Sequence, residues 1–269
     1  MSAQLENRFY ELYVEFFNRA EAERRWNSQR DIPWDRCNPA VDEAVAAIVE
    51  SFMAVELYLP DYTSKILHLL RKSRGRAWFQ ANWGYEESKH SMVLEQWLLR
   101  SGKRTLEDLN NFSEQVLQRE WNLPFETPRQ MMIYTTFQEL STSLNYRNLR
   151  QKAIEQDDAA LATLLSLVAK DESAHYQFFQ NGVKLYLKEN RDQTLADMKF
   201  VLSRFRMPAH DLITDWEHRG QAIISQRIFS DRIFFKDVAR PILTVLGTSW
   251  QDLKTLGISD DAIATFDHP

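Results

Sequence analysis

Cysteine, glycine and proline are all scarce in this chain of 269 residues. Cys37 is the only cysteine, so no disulfide can form within the chain and no cluster of thiolates can hold a metal. Seven glycines and eight prolines supply little of the turn-forming material that an all-β fold requires. The composition therefore favours a helical protein without disulfides.

Long apolar runs and an excess of positive charge are also missing. No segment approaches the roughly 20 consecutive apolar residues that cross a membrane, and the first residues lack a basic stretch followed by an apolar one. We therefore expect a cytoplasmic protein with no membrane span. The formal net charge of −5 argues against nucleic acid as a main partner.

One short motif occurs twice. Glu87-Ser88-Lys89-His90 recurs as Glu172-Ser173-Ala174-His175. Residues three apart project from the same face of a helix, so each copy offers a carboxylate and an imidazole to one point. A single copy would arise easily by chance in a chain with six histidines. Two copies with similar surroundings are much harder to obtain by accident.

A lone glutamate precedes each copy of the motif. Glu56 precedes Glu87 by 31 residues and Glu139 precedes Glu172 by 33 residues, intervals that fit one helix, a short connection and a returning helix. This arrangement is the ligand pattern of ferritin-like bundles that hold two iron or manganese ions. The alternative is that these are solvated pairs on surface helices. The pattern predicts six metal ligands: Glu56, Glu87, His90, Glu139, Glu172 and His175.

We predict an all-α fold, a ferritin-like four-helix bundle with additional flanking helices. Because both halves of the site must meet, residues 1–269 should form a single domain with its bundle core at about 42–189. The hydrophobic spacing predicts helices at 3–25, 42–72, 76–101, 128–156 and 158–189, a short helix within 103–127, and one or two helices within 191–247, interrupted near Pro208. Pro60 predicts a kink just after Glu56.

The symmetry of the pattern suggests how the ligands are shared. We expect one ion on Glu56, Glu87 and His90. The other ion should lie on Glu139, Glu172 and His175. Glu87 and Glu172 would bridge the two.

Other polar side chains fall near the predicted ligands. Asp171 and Glu86 are candidates to orient the ligand imidazoles, although either side chain would be solvated if it points away from the site. Thr142, three residues after Glu139, should face the same cavity and relay a proton there, or else hydrogen-bond back to its own helix. Tyr85 and Tyr146 are both placed to approach the metals.

At these residues the sequence resembles the soluble acyl-acyl-carrier-protein desaturases, ferritin-like di-iron enzymes typified by the plant stearoyl enzyme. The resemblance covers roughly residues 50–215. It is carried by Glu56-Leu57-Tyr58-Leu59-Pro60, the Trp83–His90 segment with its Glu86-Glu87 pair, Phe137-Gln138-Glu139 with Thr142, Asp171-Glu172-x-x-His175, and Met207-Pro208-Ala209-His210.

The resemblance implies O2-dependent insertion of a cis double bond into an acyl chain carried on acyl carrier protein, with two Fe ions as cofactor and electrons from a ferredoxin-type donor. It implies a role in oxygen activation for Thr142, a role beside the ligands for Asp171, and an electron relay for Trp26. It also implies a homodimer. Manganese remains possible, because the same ligands accept it.

The ligand set does not specify which bond is attacked. Another di-iron oxygenase reaction, such as hydroxylation or N-oxygenation, and a non-catalytic metal-binding role are the alternatives. Phe52, Met53 and Phe137 are candidates to line an acyl channel. Because acyl carrier protein is acidic, the basic turn formed by Arg71, Lys72, Arg74 and Arg76 is a candidate docking surface near the channel mouth.

Overall fold

The structure, a computed structural model, describes residues 2–209 and 211–254, and the helices found there confirm the predicted all-α fold. A π-helical turn, Ala20–Arg24, continues the first helix, and another, Phe234–Ala239, joins the tenth to the eleventh. In chain order the helices are α1 (Ala3–Arg19), α2 (Glu43–Glu56), α3 (Leu59–Leu70), α4 (Arg74–Arg100), α5 (Leu106–Leu117), α6 (Pro128–Glu155), α7 (Ala159–Glu189), α8 (Arg191–Leu202), α9 (Trp216–Ser225), α10 (Asp231–Ile233), α11 (Arg240–Val245) and α12 (Trp250–Lys254).

The bundle consists of α2 with α3, α4, α6 and α7, of which α6 and α7 pack along each other and α2 packs against α4. The predicted kink after Glu56 is a complete break, because α2 ends at that residue and α3 begins at Leu59. Pro60 is the second residue of α3, a position where a helix has no partner for a backbone N–H. The break leaves Glu56 at the end of its helix.

The flanking helices lie outside this bundle. α1 packs against α4 and α7, and Gly75 allows its close approach, since a Cβ there would lie 2.4 Å from the Phe9 carbonyl carbon. The chain after α8 is more divided than the one or two helices predicted. Ala209 and Asp215 adopt positive φ between α8 and α9, and a continuous helical run from Asp231 to Val245 follows α9.

The core is divided into two apolar clusters by a polar layer. On α7, Leu164 and Leu165 belong to one cluster and Phe178 and Phe179 to the other. α4 and α6 show the same division, with apolar residues near both ends and buried carboxylates at mid-helix. Consistent with these polar interruptions, no helix of the described ranges has the length and hydropathy to cross a membrane. The polar layer is the place to search for a functional site.

Candidate metal centre

The polar layer brings together all six residues of the predicted ligand set. Their ligand atoms form two groups, and within each group these atoms lie within 4.8 Å of one another. Glu87 and Glu172 belong to both groups, as bridging ligands would. The first group is Glu56, Glu87, His90 and Glu172, and the second is Glu87, Glu139, Glu172 and His175.

Both imidazoles present Nδ1 to the cluster. His90 Nδ1 lies 3.1 Å from Glu87 Oε2 and 3.2 Å from Glu172 Oε1. His175 Nδ1 lies 3.0 Å from Glu87 Oε1 and 3.5 Å from Glu139 Oε2. Each ring therefore directs one nitrogen at the carboxylates and leaves Nε2 for partners on the far side.

Several of these buried atoms have no hydrogen-bond partner. Glu87 Oε1, Glu139 Oε2, Glu172 Oε1 and His175 Nδ1 are all in this state. Glu87 Oε1 and His175 Nδ1 are only 3.0 Å apart, yet their contact lacks hydrogen-bond geometry. Unpaired buried polar atoms are costly in a folded protein. Converging oxygen and nitrogen donors without partners fit divalent ions such as iron and manganese.

The electrostatics of the cluster point to the same need for cations. Desolvation and the neighbouring Glu87 carboxylate raise the pKa of Glu56 well above its usual value. Desolvation and the Glu172 carboxylate do the same to the pKa of Glu139. Desolvation alone would lower the pKa of His90, but the surrounding carboxylates outweigh it and raise that pKa. Without a metal, the cluster thus retains protons to reduce its negative charge.

The outward nitrogens of the two rings meet carboxylates. His175 Nε2 lies 2.7 Å from Glu86 Oε2, and His90 Nε2 lies 3.5 Å from Asp171 Oδ2. Both candidates for orienting the rings therefore face them, although the contact with Asp171 is long for a hydrogen bond. Each carboxylate is 1% exposed. Buried carboxylates of this kind fix the tautomer and orientation of an imidazole.

Arg24 connects these two carboxylates, a contact that the sequence did not reveal. Its guanidinium donates two hydrogen bonds of 2.9 Å to Glu86 and one of 2.6 Å to Asp171. The Arg25 guanidinium also bonds Glu86, and the Trp26 indole N–H donates to Asp171 Oδ2 at 2.7 Å. The end of the π-helical turn and the two residues after it thus supply the outer support of the cluster.

Two aromatic side chains hold the lone glutamates. The Tyr146 hydroxyl donates to Glu56 Oε1 at 2.6 Å, and the Trp83 indole N–H donates to Glu139 Oε1 at 3.0 Å. Tyr146 therefore reaches the cluster as expected. Tyr85 does not reach the cluster, because it lies on the face of α4 opposite to Glu87 and is 56% exposed. The prediction that Tyr85 approaches the metals is wrong.

A cavity of about 470 Å³ connects the cluster with the surface. Glu56, Glu87 and Glu172 form part of its inner wall, and Ile224, Asp231 and Arg232 are exposed at its rim. Most of the remaining wall is apolar. It includes Phe52, Val55, Tyr62, Trp83, Tyr146, Met207, Pro208, Trp216, Ile223 and Phe229.

Helix α6 adds three uncharged polar side chains to the wall of this cavity. Thr142 lines it together with Gln138 and Asn145. The Thr142 hydroxyl also donates to the Gln138 carbonyl of its own helix at 3.0 Å, so it faces the cavity as predicted and makes the alternative bond to its helix, while its role as a proton relay stays a prediction. Its oxygen lone pairs remain available toward the cavity.

Other sequence expectations fall away from the cavity. Among the three proposed channel residues, only Phe52 lines it, because Met53 and Phe137 are fully enclosed in the apolar core. The predicted basic turn, which runs from the end of α3 into the first turn of α4, contributes no residue to the cavity wall. Arg76 in that turn is 3% exposed and binds Glu6 and Ser73. His210 lies outside the described residues.

This architecture is that of a ferritin-like helical bundle with a cluster of carboxylates and imidazoles at its centre. A sequence profile of the fatty acid desaturases matches residues 15–264. The chain belongs to this fatty acid desaturase family, in its acyl-acyl-carrier-protein type.

Curated relatives are distant in sequence. DesA1 of Mycobacterium tuberculosis, named provisionally as an acyl-acyl-carrier-protein desaturase, is 22% identical over 220 residues, which cover 78% of this chain and 63% of DesA1. A chloroplastic stearoyl-acyl-carrier-protein 9-desaturase of Solanum commersonii is 27% identical over 186 residues, covering 65% of this chain and 47% of that protein. The chain thus spans about half to two thirds of these relatives.

Solved structures show the same fold. DesA2 of Mycobacterium tuberculosis H37Rv, likewise named provisionally as an acyl-acyl-carrier-protein desaturase, matches with a TM-score of 0.69 at 18% identity, over 94% of this chain and 99% of DesA2. An R2-like ligand-binding oxidase with a reconstituted Mn/Fe cofactor matches with a TM-score of 0.59 at 16% identity, over 88% of this chain and 91% of that one.

Proposed function

We propose that this protein is an O2-dependent acyl-acyl-carrier-protein desaturase that introduces a cis double bond into a fatty acyl chain. One observation carries the proposal: a largely apolar cavity leads from the surface to a buried cluster of four carboxylates and two imidazoles. An alkyl chain is recognised by shape and apolar contact, and such a cavity supplies both. The family membership of the chain supports the same reaction.

The six clustered side chains would hold two iron ions, with manganese as the possible alternative. Glu56, Glu87 and His90 would bind one ion. Glu139, Glu172 and His175 would bind the other, and Glu87 and Glu172 would bridge the pair, which the sharing of these two residues between the ligand groups supports. When bound, the di-iron pair supplies the activation of O2 and the oxidising power to remove two hydrogens from adjacent methylenes.

The protein itself would position the acyl chain relative to the metal ligands. The apolar wall would hold the acyl chain against the inner carboxylates and exclude water from them. Thr142 lines the cavity, and its hydroxyl donates its hydrogen to the Gln138 carbonyl. The hydroxyl oxygen can therefore accept a hydrogen bond from a group in the cavity. Asp171 would act through His90, by fixing the orientation of that ring rather than by touching substrate.

The partners and organisation follow from the same proposal. The substrate would arrive on acyl carrier protein, and a ferredoxin-type donor would supply electrons. Trp26 is the candidate relay for these electrons, because its indole contacts Asp171, which lies beside His90. We further propose a homodimer, a cytoplasmic location, and a single domain over residues 1–269 with its bundle core at about 42–189.

The test is to load the protein with iron, reduce it, and measure O2 consumption with a panel of acyl carrier proteins that carry saturated acyl chains of different lengths. Mass spectrometry then identifies the products. We expect the loss of two hydrogens from one preferred chain length. Glu87→Gln should abolish this turnover, whereas the same change at the exposed residue Glu107 should leave it intact.

Other products would identify other functions. Addition of one oxygen atom would establish a hydroxylase instead, and oxidation of an amine substrate would establish an N-oxygenase. If the protein binds two metal ions per chain but shows no substrate-dependent O2 consumption, a non-catalytic metal-binding role would be the remaining function.

A further inference from the structure

A row of exposed cations begins at the mouth of the cavity. Arg232 lies at the rim, and Lys236 and Arg240 follow it at intervals of four residues along the helical run from Asp231 to Val245. Residues four apart are neighbours on a helix surface. The three side chains are all exposed, so the row leads away from the rim along the helical run.

The opposite side of this helical run faces the core. Phe234, Val238 and Ile242 also recur at intervals of four residues, and all three are buried. They anchor the run against the protein and fix which side meets the solvent. The cationic row is therefore a defined surface of a packed element.

The row forms no salt bridge that would hold it in place within the described residues. Within residues 2–209 and 211–254, none of the three cations has a salt-bridge partner. Like charges four residues apart destabilise a helix, so the spacing is unfavourable for the isolated protein. Asp231 and Asp237 are also exposed on this run. Asp231 is adjacent in sequence to Arg232, and Asp237 lies three residues before Arg240, so the run from Asp231 to Val245 carries three cations and two carboxylates and keeps a net positive charge of one.

We propose that Arg232, Lys236 and Arg240 form the docking surface for acidic acyl carrier protein. This inference rests on the proposed function, which requires a carrier that delivers an acyl chain into the cavity. A carrier bound on this row would lie beside the mouth, and its negative charge would complement the row. The basic segment at residues 71–76 holds four cations and no carboxylate, but it contributes nothing to the cavity wall.

The two basic surfaces allow a matched experiment. Arg232→Glu/Lys236→Glu and Arg71→Glu/Lys72→Glu change the net charge equally, and all four side chains are exposed. Fluorescently labelled stearoyl-acyl carrier protein serves as the probe, and fluorescence anisotropy at low ionic strength gives the Kd. We expect the first pair to raise the Kd about ten-fold or more and the second to change it less than about two-fold.

Two additional measurements separate docking from misfolding. Arg232→Lys/Lys236→Arg should retain the wild-type Kd because it keeps both charges. The Kd of the wild-type protein should rise with salt, whereas that of the reversed variant should depend on salt less steeply. A reversed variant with unchanged circular dichroism and Tm but wild-type Kd overturns the docking surface.

The remaining outcomes distinguish this inference from the proposed function. If Arg71→Glu/Lys72→Glu weakens binding and the other pair does not, the carrier docks at the turn before α4 and the inference is wrong. Equal weakening by both pairs means that only overall charge matters, which also overturns it. If the wild-type protein does not bind the probe at all, acyl carrier protein is not its partner. That part of the proposed function and the docking surface are then both wrong.

Discussion

Replacement of Arg24 by methionine tests whether the outer support of the cluster is needed. Arg24 is 8% exposed and donates three hydrogen bonds to Glu86 and Asp171, each of which is 1% exposed. Methionine is similar in length and fills the same space without the charge. The substitution would leave two buried carboxylates without their shared cation.

The structure sets the size of the effect. Removal of one partner from a buried ion pair costs about 3–5 kcal/mol. Glu86 would keep its contacts with Arg25 and His175, and Asp171 would keep the hydrogen bond from Trp26. We therefore expect the lower end, about 3 kcal/mol, which corresponds to a fall in Tm of roughly 6–12 °C. Because Glu86 holds the His175 ring and Asp171 faces the His90 ring, affinity for Fe²⁺ should also fall by about 10-fold or more.

Thermal unfolding followed by circular dichroism measures the first effect, and metal titration measures the second. Arg8→Met is a matched control, since Arg8 lies on the same helix in an exposed ion pair with Glu11 and should contribute less than about 1 kcal/mol. If Arg24→Met lowers Tm by no more than Arg8→Met does and leaves Fe²⁺ affinity unchanged, the role assigned to Arg24 is refuted.

Three further predictions follow from individual contacts. Gly75→Ala should destabilise the protein in urea unfolding by more than about 1 kcal/mol, although alanine is normally the better helix former, because its Cβ would lie 2.4 Å from the Phe9 carbonyl carbon; a more stable variant would contradict the close approach. Chelation of the metals should lower Tm more at about pH 8 than at about pH 6. Desolvation and neighbouring carboxylates raise the folded-state pKa values of Glu56 and Glu139, so the metal-free protein loses stability as pH rises, and equal Tm shifts at the two pH values would refute this. Desolvation alone would raise the pKa of Glu86, but His175 and Arg24 outweigh it and lower that pKa from 4.5 to about 2. The ionised Glu86 carboxylate therefore stabilises the fold fully above pH 4.5, and this stabilisation is lost as pH falls toward 2. The difference in Tm between wild type and Glu86→Gln should therefore shrink from about pH 5 to about pH 3, and a constant difference would argue against an ionised Glu86.

Local rules were sufficient to predict the bundle. The predicted helix 128–156 is observed as Pro128–Glu155, where Pro128 occupies the first turn and Thr127 caps it. The predicted interruption near Pro208 is also confirmed, since α8 ends at Leu202 and α9 begins at Trp216, but the number of helices beyond it did not follow from such rules. In this stretch Ala209 and Asp215 adopt positive φ, which is uncommon for residues other than glycine and was not predicted.

The residues around the ligands were predictable only where a helix connects them to a ligand. Thr142 follows Glu139 by one turn, and its place beside the cavity follows from that spacing. Arg24 lies 62 residues from Glu86 and 147 from Asp171, and no spacing rule singles it out among 33 lysines and arginines. Tyr85 shows the converse error, because sequence proximity to a ligand does not give a shared helix face.

Each imidazole of the two motif copies has its neighbouring carboxylate on the other copy. Glu86, which precedes the ligand of the first copy, contacts His175 of the second. Asp171, which precedes the ligand of the second, faces His90 of the first. Each copy therefore places a carboxylate beside the imidazole of the other, hydrogen-bonded in the case of Glu86 and at 3.5 Å in the case of Asp171, and Arg24 joins these two carboxylates. Because neither helix can complete an oriented set of ligands alone, the geometry of the centre is a property of packed α4 and α7, and it should be lost whenever these helices separate.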